Sequence, residues 1–156
     1  MSARPQETKR PPPRLILVTP VIEVADSILT DLHGALAAAD VAAIVLRLAD
    51  ADERTLIDRV KAIARIVQDS GAALLLADLS ELVALSGADG AHLTGIDAFN
   101  AAVANLKPDR IAGAGNLVTR HDAMVAAEAG ADYVMFGEPD AVGHRPSFEA
   151  IIERVE

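Results

Sequence analysis

Leu85-Ser86-Gly87-Ala88-Asp89-Gly90-Ala91-His92-Leu93 and Ala127-Glu128-Ala129-Gly130-Ala131-Asp132-Tyr133-Val134-Met135 are two copies of one pattern. Each reads as the end of a helix, a Gly-Ala-Asp turn and the start of a strand. The glycine lets a helix end in a left-handed conformation, and the alanine permits close packing. Gly87 and Gly130 are 43 residues apart. That distance spans two strand–helix units of about 20 residues each, and such units in series imply a parallel sheet with helical crossovers.

Working outward, six short apolar runs punctuate the chain at 15–19, 42–46, 72–77, 90–93, 110–112 and 133–136. Several show no polar alternation, as a strand covered on both faces should. The fifth is placed by its position in the series. Helical patterns lie between them at 27–39, 53–68, 79–85, 98–106 and 119–129, and a sixth begins at Ser147. The second has the cleanest apolar stripe, with Asp52 placed to cap it and Ser70-Gly71 to stop it. An open doubly wound sheet and a closed barrel both satisfy this order. No Gly-rich dinucleotide fingerprint follows the first strand, where Thr19-Pro20-Val21 stands.

Bulk properties narrow the function classes. Apolar residues make up 51% and charged residues 24% of the 156 residues, which fits one globular domain rather than a disordered chain. A net charge of -9 argues against a nucleic-acid partner, because phosphate-backbone binding needs a basic footprint. Only 3% of residues are aromatic, too few for a base-stacking platform. No apolar run approaches the roughly 20 residues of a spanning helix, so no membrane partner is expected. The absence of cysteine suits a reducing compartment, and a cytoplasmic location is expected. Arg4, Lys9 and Arg10 are followed by Pro11 to Pro13 with no signal-peptide core. Residues 1–13 therefore read as a mobile tail and 14–156 as the domain.

In either parallel architecture, function collects at the carboxyl ends of the strands. The polar residues there are Thr19, Arg47, Asp78, Thr94, Asp97, Asn116 and Glu138. A buried guanidinium at Arg47 needs an anion, either a carboxylate or a phosphate. Asp78 and Asp97 lie at neighbouring strand ends, and two carboxylates with water and a diphosphate make a reasonable Mg²⁺ site. The plainer alternatives are an Arg47–Asp78 pair and a helix cap at Asp97. His33, His92, His121 and His144 show no metal spacing, and His92 reads as a satisfied core residue. Gly113-Ala114-Gly115 offers backbone N–H groups to a phosphate, or else forms a tight loop.

Four segments together resemble the thiamine-phosphate synthase and thiazole tautomerase superfamily. They are Leu15-Ile16-Leu17-Val18-Thr19, Ile44-Val45-Leu46-Arg47, Gly87-Ala88-Asp89-Gly90-Ala91-His92-Leu93 and Gly130-Ala131-Asp132-Tyr133-Val134. The third is the most specific. The resemblance implies an α/β fold of the (β/α)8 TIM-barrel type, with about the first six βα units present. It implies transfer of hydroxymethylpyrimidine from its diphosphate to a thiazole phosphate, with Mg²⁺ and basic residues neutralising the leaving diphosphate as a pyrimidine carbocation develops. By the same resemblance Asp78 and Asp97 fall on the two metal-binding aspartates. Arg47 falls on the diphosphate-side arginine, Gly115 on the turn after strand five, and Arg145 on the basic position of the loop after strand six.

The chain also departs from the family pattern. The family's Gln two residues before the arginine is Val45, and its Lys two residues after is Ala49. The Asn-Asp-Arg segment is Ala77-Asp78-Leu79, and the Gly-x-Ser turn is Gly113-Ala114-Gly115. The Pro-Thr-x-Thr-Lys loop is replaced by residues 138–145, where Glu138 and Asp140 would repel a diphosphate. The tautomerase histidine has no counterpart; Leu117 stands nearest, and His121 follows a turn later. The expected function is thus a thiamine-phosphate synthase-like protein with impaired catalysis. The alternative is a non-catalytic relative that binds a phosphorylated small molecule or a protein. With the last two units absent, strands one and six become edges, and self-association is expected.

Overall fold

The computed structural model describes residues 11–139 and 143–155. Residues 1–10 of the expected tail lie outside them, and Pro11 to Pro13 are exposed and without regular structure. The chain runs β1 (Leu15–Ile22), α1 (Asp26–Ala38), β2 (Val41–Leu48), α2 (Glu53–Asp69) and β3 (Ala73–Ala77). A 3₁₀ turn (Ser80–Leu82) then leads into α3 (Val83–Ser86), β4 (Gly90–Thr94), α4 (Ile96–Leu106), β5 (Ile111–Gly115), α5 (Arg120–Glu128), β6 (Tyr133–Val134) and α6 (Phe148–Val155).

All six strands are parallel and their spatial order is β1-β2-β3-β4-β5-β6. A doubly wound sheet reverses its strand order at a switch point. Sequential order throughout is barrel topology, so the barrel-type reading holds and the open alternative does not.

Side chains alternate between two cores. Ile44 and Leu46 of β2, with Leu74 and Leu76 of β3, pack outward on α2 residues such as Val60, Ile63 and Val67. Ala43, Val45 and Leu75 form the inner cluster with Ile16, Ala73, Ala77, Ile111 and Tyr133. The inner face is made partly of glycines. A Cβ at Gly90 would overlap the Ile111 carbonyl, and one at Gly113 would overlap the Tyr133 ring. Each glycine clears one position so that a larger inward neighbour can lie across it.

The two Gly-Ala-Asp turns do the same work in both places. Gly87 ends α3 with φ 79°, and Gly130 follows α5 with φ 100°, both left-handed. Asp89 then accepts the Leu74 N–H of β3 at 2.7 Å, and Asp132 accepts the Ala112 N–H of β5 at 2.8 Å. Each aspartate pins the start of its own strand to that of the strand before. Asp52 caps α2 as expected, accepting the Thr55 N–H at 3.0 Å, and Thr119 with Asp122 forms a capping box on α5.

Three boundaries differ from expectation. β1 continues to Ile22 through a register shift between Val18 and Val21, where Pro20 lacks an N–H for the ladder. An edge strand tolerates that loss. The third helix is short, because its first turn is 3₁₀. β6 covers only Tyr133–Val134, although Met135 N–H still bonds the Ala114 carbonyl at 2.8 Å, and Gly137 turns the chain with φ 81°.

Candidate functional site

The polar residues gather where the strands end. Thr19 is buried; its Oγ1 accepts the Arg47 N–H at 3.0 Å and donates to the Pro20 carbonyl at 2.8 Å. This bond ties the bulged end of β1 to β2. Arg47 follows Ala43 and Val45 on the inward parity, but its side chain is exposed rather than buried. It stands near the strand end, opposite the exposed Val21, so nothing encloses it.

Asp78 does not pair with Arg47 among the described residues, so that alternative fails. The Asp78 carboxylate accepts the Thr94 N–H and the Thr94 hydroxyl, each at 2.7 Å. Its own N–H donates to the His92 carbonyl at 2.9 Å. Both donors come from Thr94 at the end of β4, and they occupy one lone pair on each Asp78 oxygen. Asp78 adopts a left-handed φ of 53°, and Asn116 does the same after β5 with φ 48°. Aspartate and asparagine tolerate that region best among non-glycine residues.

Asp97 is not a helix cap. α4 starts earlier than expected, its N-cap is Gly95 without a side-chain bond, and Asp97 sits exposed in the first turn. A carboxylate there is favoured by the helix dipole. It stands three residues after Thr94, the last residue of β4, which holds Asp78. Arg145 is exposed on the segment before α6.

Gly115 closes β5 on the inward face. A Cβ there would overlap His92 Nε2 and Glu138 Oε2. These atoms belong to a buried network. His92, 2% exposed, bonds Tyr133 Oη through Nδ1 and Glu138 Oε1 through Nε2, both at 2.7 Å. The Asn116 N–H donates to the other Glu138 oxygen. The Tyr133 and His92 rings stack with centroids 5.8 Å apart.

Proton positions follow from chemistry. A carboxylate only accepts, so His92 carries a proton on Nε2; Tyr133 donates to Nδ1 when the ring is neutral and accepts from it when the ring is charged. Burial, with the charges of Glu138 and Asp132, raises the Tyr133 phenol well above its ordinary value and keeps it protonated. Burial pushes the Glu138 carboxyl up. The His92 bond and charge, the Asn116 N–H and the Arg47 charge together overcome this and hold it below its ordinary value.

Residues 113–115 are not a turn but the last part of β5, paired along β4, and the first N–H beyond them, that of Asn116, is held by Glu138. His92 is a satisfied core residue, as its position on a strand implied. Its partners Tyr133 and Glu138 were not paired with it in the sequence. The signal was in the repeat: Gly90 and Tyr133 both follow the turn aspartate, and His92 lies two residues beyond Gly90 on the same inward face.

A family model described as thiamine monophosphate synthase matches residues 15–141. The chain belongs to the thiamine monophosphate synthase family. Thiamine-phosphate synthase of Rhodospirillum centenum is 39% identical over 125 residues, covering 80% of this chain and 60% of that protein. The Hyphomonas neptunium thiamine-phosphate synthase is 40% identical over 134 residues, covering 82% and 61%. The chain thus spans about three-fifths of the length of these curated family members. The solved structure of thiamine phosphate pyrophosphorylase from Pyrococcus furiosus superposes with a TM-score of 0.67 at 22% identity, over 92% of this chain and 71% of that one. This likeness establishes the family's α/β barrel-type fold for the six units.

Among the described residues no group of three or more His, Cys, Asp or Glu side chains could hold a metal, and no helix is long and apolar enough to cross a membrane.

Proposed function

We propose that this family member keeps the donor side of thiamine-phosphate synthase chemistry. It binds a small phosphorylated substrate, a pyrimidine diphosphate, at the ends of β2 to β5. The observation that carries this reading is Asp78: a carboxylate in a left-handed backbone, aimed by two bonds from Thr94. One donor reaches each oxygen, so further lone pairs are left for a cation.

Mg²⁺ fits the donor set. It binds through one or two carboxylates and completes its shell with water and substrate phosphates, so a third protein ligand is not required. Asp78 and Asp97 would hold it, and when bound it would neutralise charge on a departing diphosphate. Arg47 adds a permanent positive charge on the same mouth. Gly115 leaves room for the polar network beside it, and Arg145 supplies the basic group of the following segment. Calorimetry with Mg²⁺ and inorganic diphosphate tests the reading. Binding should be measurable in wild type and lost in Asp78→Asn with Asp97→Asn. Equal heats in both would sink it.

A second reading is a non-catalytic relative that binds the ligand without turning it over. Val45, Ala49 and Leu79 favour it, because they stand where the family resemblance implies Gln, Lys and Arg. Each charge-assisted bond lost costs about 1.5–3 kcal/mol. A turnover assay with both precursors separates the readings. Product above a blank, abolished by Arg47→Ala, selects the enzyme.

The proposal places the protein in the cytoplasm and includes self-association. β1 and β6 each have a single sheet neighbour among the described residues, and Val18, Val134 and Phe148 are exposed. Light scattering across a concentration series should show growth in mass, whereas a constant monomer mass would contradict it.

A further inference from the structure

We infer that Glu138 fills, from within the chain, an oxyanion cradle at the end of β5, and so decides whether a phosphoryl group can enter it. The inference rests on the donor-side reading in that it names what controls the anion position of that mouth.

The geometry is that of a bound anion. One carboxylate oxygen takes His92 Nε2–H at 2.7 Å, and the other takes the backbone N–H of left-handed Asn116. Two donors, one within β4 and one just beyond the end of the adjacent β5, thus converge on one O–C–O group. A phosphoryl group presents the same pair of acceptor oxygens across O–P–O, so these donors suit either. Gly115 supplies the space, because any Cβ there would run into both the ring nitrogen and the carboxylate. Tyr133 orders the donor: its bond to Nδ1 and its stacking on the ring fix the direction of Nε2. Arg47 faces the same mouth and is close enough to stabilise negative charge at Glu138.

The competing account is a purely structural one, in which Glu138 anchors the end of β6 to β4 and β5 and nothing else fits. The accounts differ when the carboxylate is removed. If Glu138 fills a cradle, shortening it vacates a site with two fixed donors and a nearby cation. If Glu138 is only an anchor, shortening it leaves a loosened loop with no affinity for anions.

The experiment is a titration of wild type, Glu138→Ala and Glu138→Gln with inorganic phosphate, followed by calorimetry and phosphorus NMR without Mg²⁺. Omitting the metal keeps Asp78 and Asp97 out of the measurement. Glu138→Ala should bind phosphate about ten- to hundredfold more tightly than wild type, the range of one charge-assisted contact regained. Adding Arg47→Ala to that variant should remove much of the gain. Glu138→Gln keeps the size of the side chain and one of its two acceptor oxygens, so it reports on a folded protein should the alanine variant melt early. A smaller gain in it than in Glu138→Ala supports occupancy by the side chain itself. No gain in a folded variant overturns the inference, even where Mg²⁺ with diphosphate still binds through Asp78. A gain in phosphate binding together with no metal-dependent binding leaves the inference standing and removes the Mg²⁺ reading.

Discussion

Replacing Gly113 by alanine tests the inner face most directly. A glycine in mid-strand is a weak point, and substitution by alanine at a compatible backbone stabilises by about 0.4–1 kcal/mol. Gly113 has no left-handed φ, so its backbone accepts alanine. The added Cβ, however, would overlap Cζ, Oη and Cε1 of Tyr133. That ring cannot swing aside freely, because it stacks on His92 and bonds His92 Nδ1 at 2.7 Å. Overpacking of this kind costs about 1–3 kcal/mol, and a buried His92 nitrogen left without a partner costs about 1–3 kcal/mol. The two losses overlap, because ring displacement relieves the first by causing the second. Because one loss replaces the other, net destabilisation should be about 0.5–2.5 kcal/mol after the glycine term is subtracted. At roughly 2–4 °C per kcal/mol for a domain this size, the melting temperature should fall by about 1–10 °C. Urea unfolding followed by circular dichroism measures it. The decisive comparison is Gly113→Ala in a Tyr133→Ala background, where the methyl enters vacated space and should be neutral or stabilising. An equal loss in both backgrounds would refute the argument that Tyr133 is what excludes a side chain at 113.

Three further outcomes are expected. Glu138 titrates below its ordinary value of 4.5 in the folded protein. The unfolded chain therefore binds more protons there, and the stability from its ties to His92 and Asn116 is complete above that value and lost as pH falls through the folded one. An acid melt series should show a steeper loss in wild type than in Glu138→Gln, and parallel curves would contradict this. Asp132→Ala should destabilise by about 1–3 kcal/mol, because the Ala112 N–H loses its acceptor, and hydrogen exchange should rise first at the start of β5; unchanged protection there would show that the turn is not what pins the strand. Asp78→Asn should leave the melting temperature nearly unchanged, since asparagine tolerates the left-handed φ of 53°, while weakening Mg²⁺-dependent diphosphate binding at least tenfold, roughly the loss of one charge-assisted contact.

Much of the fold was legible because buried parallel strands are continuous apolar runs. Ile44-Val45-Leu46 and Leu74-Leu75-Leu76 advertise themselves in this way. The Gly-Ala-Asp turns were legible because left-handed helix ends demand glycine. Sheet order was not, since nothing local distinguishes sequential pairing from a switch point; it came from family likeness. The ends of β1 and β6 were missed because a bulge at Pro20 and a turn at Gly137 depend on tertiary pairing. At the site, the strand-end positions of these residues could be placed from the sequence, but their hydrogen-bond partners could not. Arg47 and Asp78 looked like a pair by charge, yet it is Thr94 that bonds both Asp78 oxygens. Glu138 looked like a free anion in an unfavourable place. Its counterpart His92 lies 46 residues earlier in the chain, beyond the reach of any local pattern.

The unbroken order of the sheet bears on how such a chain comes together. Among the described residues every strand after the first docks beside the one made just before it, so none of these strands must wait for a distant partner to be synthesised. The longest wait is one helical crossover, which keeps loop-closure costs small and favours growth from the amino end as the chain emerges from the ribosome. Each arriving unit finds its template already in place: a strand edge on one side and, in the turn aspartate, a hook for its first amide. Assembly is then closer to laying courses of brick than to threading a knot, and a fault in one course, such as a lost Asp89, should stall the courses after it while sparing those before.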